Sequence, residues 1–191
     1  MAMTMTGEVD LPATKQVVWE ALNDPEILKA CIPGCQSLEK VGDNSLQAVA
    51  KVKVGPVAAT FKGKVDLLDL DPPNGYRISG EGEGGVAGFA KGGATVKLSD
   101  IPTGTKLAYD VEAQVGGKLA QLGARLIDGV AKKMADQFFT DFASAVARQQ
   151  GVEPAAAAAE AAETQQPAQA QQQEAQGLLQ RLIAWFLGLW R

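Results

Sequence analysis

"LAYDVEAQV" (residues 107–115) alternates. Leu107, Tyr109, Val111, Ala113 and Val115 share one side, while Asp110, Glu112 and Gln114 lie on the other. A period of two marks a strand with one dry face and one wet face. The residues that follow, "GGKLAQLGARLIDGVAKKMADQFFTDF" (116–142), abandon that period. Leu119, Leu122, Leu126 and Val130 recur at helical spacing, and Ile127, Ala131, Met134, Phe138 and Phe142 continue beside them. Lys132, Lys133, Asp136 and Asp141 lie off both rows. The pattern predicts one long amphipathic helix over 117–148. Its apolar stripe needs a partner, and the dry face of the preceding sheet supplies one.

Working back from this junction, the same alternation recurs. In "QAVAKVKV" (47–54), Ala48, Ala50, Val52 and Val54 share a face. In "VAATFKGKVDL" (57–67), Val57, Ala59, Phe61, Gly63, Val65 and Leu67 oppose Thr60, Lys62, Lys64 and Asp66. In "YRISGEGE" (76–83), Tyr76, Ile78, Gly80 and Gly82 oppose Arg77, Ser79, Glu81 and Glu83. "VGPV", "DPPNG" and "IPTG" supply turns between them. Together with residues 4–11, this predicts a seven-stranded antiparallel meander. Two short helices interrupt it early. "ATKQVVWEALND" places Val18, Trp19 and Leu22 on one face, and "DPEILKA" opens with Asp24 as N-cap and Pro25 at the first helical position. The class is α+β, a curved sheet around a C-terminal helix.

The inward face holds unusually small side chains. Ala48, Ala50, Ala59, Gly63, Gly80, Gly82, Ala94 and Ala113 stand where Val, Ile or Leu normally fill a layer. Such a sheet facing a helix predicts an apolar cavity of the kind that holds ligands; the alternative is that small residues only let the helix sit closer. The candidate ligand-binding residues are Phe61, Gly63, Tyr76, Gly80, Gly82, Phe89, Tyr109, Leu119, Leu122, Gly123 and Leu126. Gly123 falls inside the predicted helix, where glycine costs about 1 kcal/mol against Ala, so close packing or ligand access is its expected purpose.

The 191 residues contain no histidine, which removes His-ligated metal sites and Ser-His or Cys-His catalysis. Cys31 and Cys35 in "CIPGC" are too few for a zinc site and are read as reduced thiols. No metal ligand set and no catalytic residue is assigned. "GEGEGG" formally contains G-x-G-x-x-G at Gly80, Gly82 and Gly85, but it lies in a strand and opens no helix, and Glu81 and Glu83 would repel a pyrophosphate. Those two acids, spaced by two, sit together on the wet face. A net charge of −4 gives no basic field for nucleic acid. The N-terminus carries neither a basic region nor an apolar run, so no secretory signal is expected.

The composition then changes. Residues 149–177 hold ten Ala and nine Gln in 29 positions, with no aromatic, and are read as a tether. "LLQRLIAWFLGLWR" (178–191) follows, with no acid. As a helix it would span about 21 Å, short of the ~30 Å hydrocarbon core. It is therefore expected to lie in the membrane interface, with docking on a partner protein or back on the domain as the alternative. Leu178, Leu179, Leu182, Ile183, Trp185, Phe186, Leu189 and Trp190 would enter the lipid, with Arg181 and Arg191 at anionic headgroups. The division is thus a ligand-binding domain over 1–148, a tether and a membrane-anchoring helix.

"VVWEALNDPEILKACIPGC" resembles the opening helices of the polyketide-cyclase/START-like (SRPBCC) helix-grip superfamily. "CIPGCQSLEKVGDN", "VGPVAATFKGKVDL", "GEGEGGVAGFAKGGATVKL" and "GGKLAQLGARLIDGVAKKMADQFF" resemble the CoxG family, the G-subunit family of carbon monoxide dehydrogenase, over about residues 5–146. The resemblance implies a helix-grip fold and a non-catalytic accessory protein of the aerobic molybdenum carbon monoxide dehydrogenase. It places the protein at the cytoplasmic face of the bacterial inner membrane, where it recruits that enzyme. Joined to the apolar cavity, it suggests a bound quinone that links the enzyme to the respiratory chain, with no redox centre in the protein itself. A pure membrane anchor or assembly factor, and a cyclase- or hydrolase-like enzyme, are the alternatives.

Removal of residues 178–191 is expected to release the protein from anionic liposomes in a sedimentation assay while its circular dichroism is retained. Continued sedimentation of the truncated chain would contradict the anchor.

Overall fold

The computed structural model describes residues 1–151. Seven strands form one antiparallel sheet: β1 (Ala2–Leu11), β2 (Cys35–Lys40), β3 (Ser45–Val54), β4 (Val57–Asp71), β5 (Gly75–Glu83), β6 (Phe89–Ile101) and β7 (Gly104–Gly116). Their order is β1-β7-β6-β5-β4-β3-β2, so the first two strands in sequence stand at opposite edges. The helices α1 (Lys15–Leu22) and α2 (Pro25–Cys31) make that crossing, and α3 (Ala124–Gln149) closes the domain. The expected terminal helix and nearly all of the expected tether lie outside the described residues.

Local chemistry explains the crossing helices. The Asp24 carboxylate accepts from the N–H groups of Glu26 (2.9 Å) and Ile27 (3.4 Å), and Pro25 opens α2 without an N–H to satisfy. Val18, Ala21 and Leu22 of α1 are buried. Across the sheet, the register brings apolar positions into line on one face: Leu46–Val65, Val65–Gly80, Gly80–Gly92, Gly92–Ala113 and Ala113–Met3 are successive cross-strand pairs. The wet and dry faces are those the alternation predicts.

Two separate apolar clusters hold α3 on this sheet. The first lies under α1, α2 and the C-terminal half of α3, and includes Leu11, Val18, Leu22, Tyr76, Val96, Leu98, Leu107, Phe142 and Val146. The second lies at the opposite end, around Val54, Val115, Leu119 and Ile127. Burying each large apolar side chain contributes about 1.5–3 kcal/mol, so both ends are firmly closed. Thr105 is buried in the first region, and its hydroxyl donates to the Ala13 carbonyl at 2.8 Å.

The predicted single helix over 117–148 is interrupted. Residues 120–122 form one 3-10 turn, and α3 begins only at Ala124. Gly123 stands before the helix, with φ 86° and ψ 152°, a conformation that ends any right-handed helix and that glycine adopts without strain. It is therefore a helix-entry glycine, contrary to the expectation of a glycine packed within a helix.

Three aromatic rings lie over glycines. A Cβ built on Gly7 would fall into the ring of Tyr109, its partner across β1 and β7. Phe89 covers Gly116 across β6 and β7, and Phe61 covers Gly84. Tyr109 also stacks on Phe139 of α3, with ring centroids 5.0 Å apart. Gly7→Ala is therefore expected to displace Tyr109 and loosen α3. Urea denaturation should show a loss of about 1–3 kcal/mol, the usual cost of overpacking; unchanged stability would contradict this role for Gly7.

Candidate functional site

Between the two clusters runs a band of inward-facing residues that belongs to neither. From the sheet come Met5, Ala48, Ala50, Gly63, Val65, Gly80, Gly82, Ala94, Val111 and Ala113; from α3 come Ala131 and Met134. All are only half-buried, like the residues at the margins of the two cores and unlike the sealed residues at their centres. Two features cause this. The side chains are short, and α3 approaches the sheet most closely at β1 and β3, near its edges. Between the two clusters, the inward layer of β4, β5 and β6 is built mainly of glycine and alanine.

Glycine thins the layer in register. Gly63 faces Gly82 across β4 and β5, and Gly80 faces Gly92 across β5 and β6. The positions are not sterically equal. A Cβ on Gly82 would meet nothing closer than 3.7 Å, an ordinary contact. A Cβ on Gly92 would collide with the Glu112 carbonyl, and one on Gly63 would come within 2.9 Å of the Glu81 carbonyl. Gly63 and Gly92 are thus held by backbone proximity, whereas Gly82 is small with room beside it.

The structure distributes the sequence-derived candidates unevenly. Gly63, Gly80 and Gly82 lie in the band. Tyr76 and Tyr109 border it from the first cluster, where Tyr76 meets Trp19 edge-on at 5.5 Å. Burial pushes the Tyr76 hydroxyl well above the ordinary tyrosine range. Phe61, Leu119 and Leu122 border it from the second cluster. Phe89 is a correction. It has the opposite parity to Ala90, is 44% exposed and covers Gly116, so it lies on the outer face. Leu126 is another, being 39% exposed beside Gly55 of the β3–β4 turn. Leu126 lies in the first turn of α3 at the open end of the domain, whereas Val130, one turn on, packs against the second cluster. Met5, Val65, Val111 and Met134 join the band without being sequence-derived candidates. The signal that could have found them is the inward parity they share with the small residues.

The outer face carries a different concavity. A trough of about 930 Å³ runs over β1, β7, β6, β5 and β4, lined by Lys64, Asp66, Arg77, Glu81, Lys91, Asp110 and Glu112 among others. A smaller one of about 490 Å³ adjoins it at Lys62, Glu81 and Glu83. These walls are charged and open, and they do not match the apolar site that small inward side chains imply. Glu81 faces Lys64 and Lys91 across the strands, and Glu83 faces Lys62. The two acids are solvated members of a charged surface. Ser45 and Lys64 hold the Asp66 carboxyl below its usual range by hydrogen bonding.

The glycine connection after β5 is anchored. Gly84 N–H donates to Gly88 O, and Leu119 N–H donates to the carbonyl of the buried Ala87. Cys31 and Cys35 are free thiols, and burial pushes both upward, away from the reactive thiolate. Among the described residues no three His, Cys, Asp or Glu side chains group as metal ligands, and no helix is long and apolar enough to cross a membrane.

The family profile of the carbon monoxide dehydrogenase G subunit (CoxG) matches residues 7–147. The chain belongs to the CoxG family. Membership associates it with carbon monoxide dehydrogenase in an accessory capacity. Among solved structures, a conserved protein from Geobacillus kaustophilus is similar at 34% identity and TM-score 0.72, over 76% of this chain and 96% of that one. The Zhui aromatase/cyclase from Streptomyces sp. R1128 is similar at 14% identity and TM-score 0.58, over 78% and 96%. A Thermus thermophilus protein is similar at 15% identity and TM-score 0.60, over 77% and 99%. The last two show the helix-grip fold alone. No curated protein matches the sequence.

The band predicts an asymmetry between two neighbouring glycines. Gly82→Ala should fold with near-unchanged thermal stability, whereas Gly92→Ala should be destabilised by about 1–3 kcal/mol. Equal tolerance of both would contradict the geometry described.

Proposed function

We propose that this CoxG-family protein is a non-catalytic carrier that binds a hydrophobic molecule, a quinone, in the band between sheet and α3. It thereby connects carbon monoxide dehydrogenase to the respiratory chain at the cytoplasmic face of the inner membrane. The observation that carries this reading is the half-buried apolar band between two sealed cores. Apolar surface left uncovered inside a domain is stabilised by an apolar occupant.

The side chains of the band favour a carrier over a cyclase-like enzyme. They are Gly, Ala, Val and Met, with no nucleophile and no general acid or base. Met5 and Met134 offer flexible, polarisable surface suited to a flat conjugated ring. The family assignment supports the link to the dehydrogenase. The acid-free apolar segment 178–191 supports membrane attachment.

Gly82→Leu tests the carrier directly, since it projects a large side chain into the band from a position where its Cβ has room. Full-length protein purified from its own host should yield an isoprenoid quinone on solvent extraction and chromatography. Folded Gly82→Leu protein should yield several-fold less and fail to support carbon monoxide-dependent respiration, while still co-purifying with the dehydrogenase. Normal respiration with a folded, quinone-free variant would leave the pure anchor as the better account.

A further inference from the structure

The second cluster is capped by three loops that meet at one end of the domain: the β3–β4 turn, residues 84–88, and residues 116–123. Leu126 lies against Gly55, and Gly88 lies against Gly116 and Gly117. This end exposes Val86 (85%), Phe89 and Leu126. Val86 crowns the rigidly hydrogen-bonded 84–88 turn, so its exposure is built in. Lys53, Lys118 and Arg125 surround the tip, are exposed, and make no ion pair among the described residues. Glu83 and Asp128 are the nearby acids, and Glu83 already faces Lys62.

The opposite end provides the discriminating comparison. It also exposes apolar side chains, Val41, Leu68 and Leu70, but they stand among Asp43, Asp69 and Asp71, with Lys40 and the Asp69-paired Arg77 as the cations there, so acids outnumber bases. An anionic surface repels that end and attracts the other. We infer that the Val86 end of the domain docks on anionic lipid, with Val86 and Leu126 entering the interface and Lys53, Lys118 and Arg125 meeting headgroup phosphates. An apolar tip ringed by cations has the make-up of an interfacial contact. This contact is additional to the anchoring proposed for residues 178–191, without which the tip alone is too small to hold the protein on vesicles. It deepens the carrier reading, on which it rests only for its purpose: the second cluster lies between the band and this end of the domain.

Chain geometry permits both contacts. The C-terminal end of α3 lies far from this tip, where Gln150 donates to Thr14. The helix between them is about 39 Å long. The 25 or so residues between the described domain and the terminal segment reach about 85 Å when extended, enough to bring both to one surface.

The test uses full-length protein with Cys31 and Cys35 replaced by Ala and an environment-sensitive fluorophore on Val86→Cys or, separately, on Val41→Cys. With phosphatidylglycerol vesicles, the label at 86 should shift to the blue and be quenched by brominated lipid, and the label at 41 should do neither. Lys53→Glu, Lys118→Glu and Arg125→Glu together should abolish the shift at 86 while the protein still sediments with the vesicles. A label at 86 that stays in water on sedimenting protein would overturn the inference and leave terminal anchoring intact. Absence of sedimentation would overturn both. A label at 86 that becomes buried only on adding carbon monoxide dehydrogenase would assign this end to the enzyme and overturn the lipid contact.

Discussion

How closely α3 can seal the sheet is set by the glycines that face one another across β4, β5 and β6. Gly63 opposite Gly82, and Gly80 opposite Gly92, remove side chains from the middle of the inward layer. At Gly63 and Gly92 the neighbouring backbone crowds any added Cβ, so glycine there is set by the approach of the adjacent strands. The helix then packs on two separate cores, with Phe138, Phe139, Phe142 and Val146 on one and Ile127 and Val130 on the other. A filled middle would have merged these into one core. Their separation is the physical origin of the candidate site.

Aromatic side chains do a different job from the one their chemistry first suggests. Tyr109, Phe89 and Phe61 each cover a glycine, restoring apolar contact where the backbone is bare. Tyr109 and Phe61 stiffen the borders of the band and leave its floor to Ala, Val and Met, while Phe89 works from the outer face. The floor therefore has little directional chemistry. A site of this composition selects by shape and hydrophobicity, which suits carriage of a lipid-like molecule better than bond-making.

Much of this is legible in the sequence because alternation is a local property. The strands from Gln47 to Val115, their inward sets, and the Asp24–Pro25 helix start all follow from residues close in sequence. The helix stripe of Ile127, Met134, Phe138 and Phe142 is equally readable. What escapes depends on chain reversal or on partners distant in sequence. The positive φ of Gly123 splits the predicted helix, which leaves Leu126 in the exposed first turn of α3. The neighbouring Gly116–Gly117 pair is the available signal that the chain reverses there before α3 begins. Phe89 has the opposite parity to the inward Ala94, a local signal that places it outward, and the pairing of β6 with β7 then shows that it covers Gly116. The division of the inward face into two sealed cores and an open band is a tertiary property, set by how α3 leans on β1 and β3.

The central claim is that the band between the cores is an apolar space able to hold a ligand. Xenon occupies such spaces because it needs only dispersion contacts. Crystals of the ligand-stripped protein, pressurised with xenon and measured by anomalous diffraction, should show bound atoms between Gly82, Ala94 and Met134. A band closed by direct packing of α3 on the sheet, with xenon absent there or confined to the outer trough, would contradict the account.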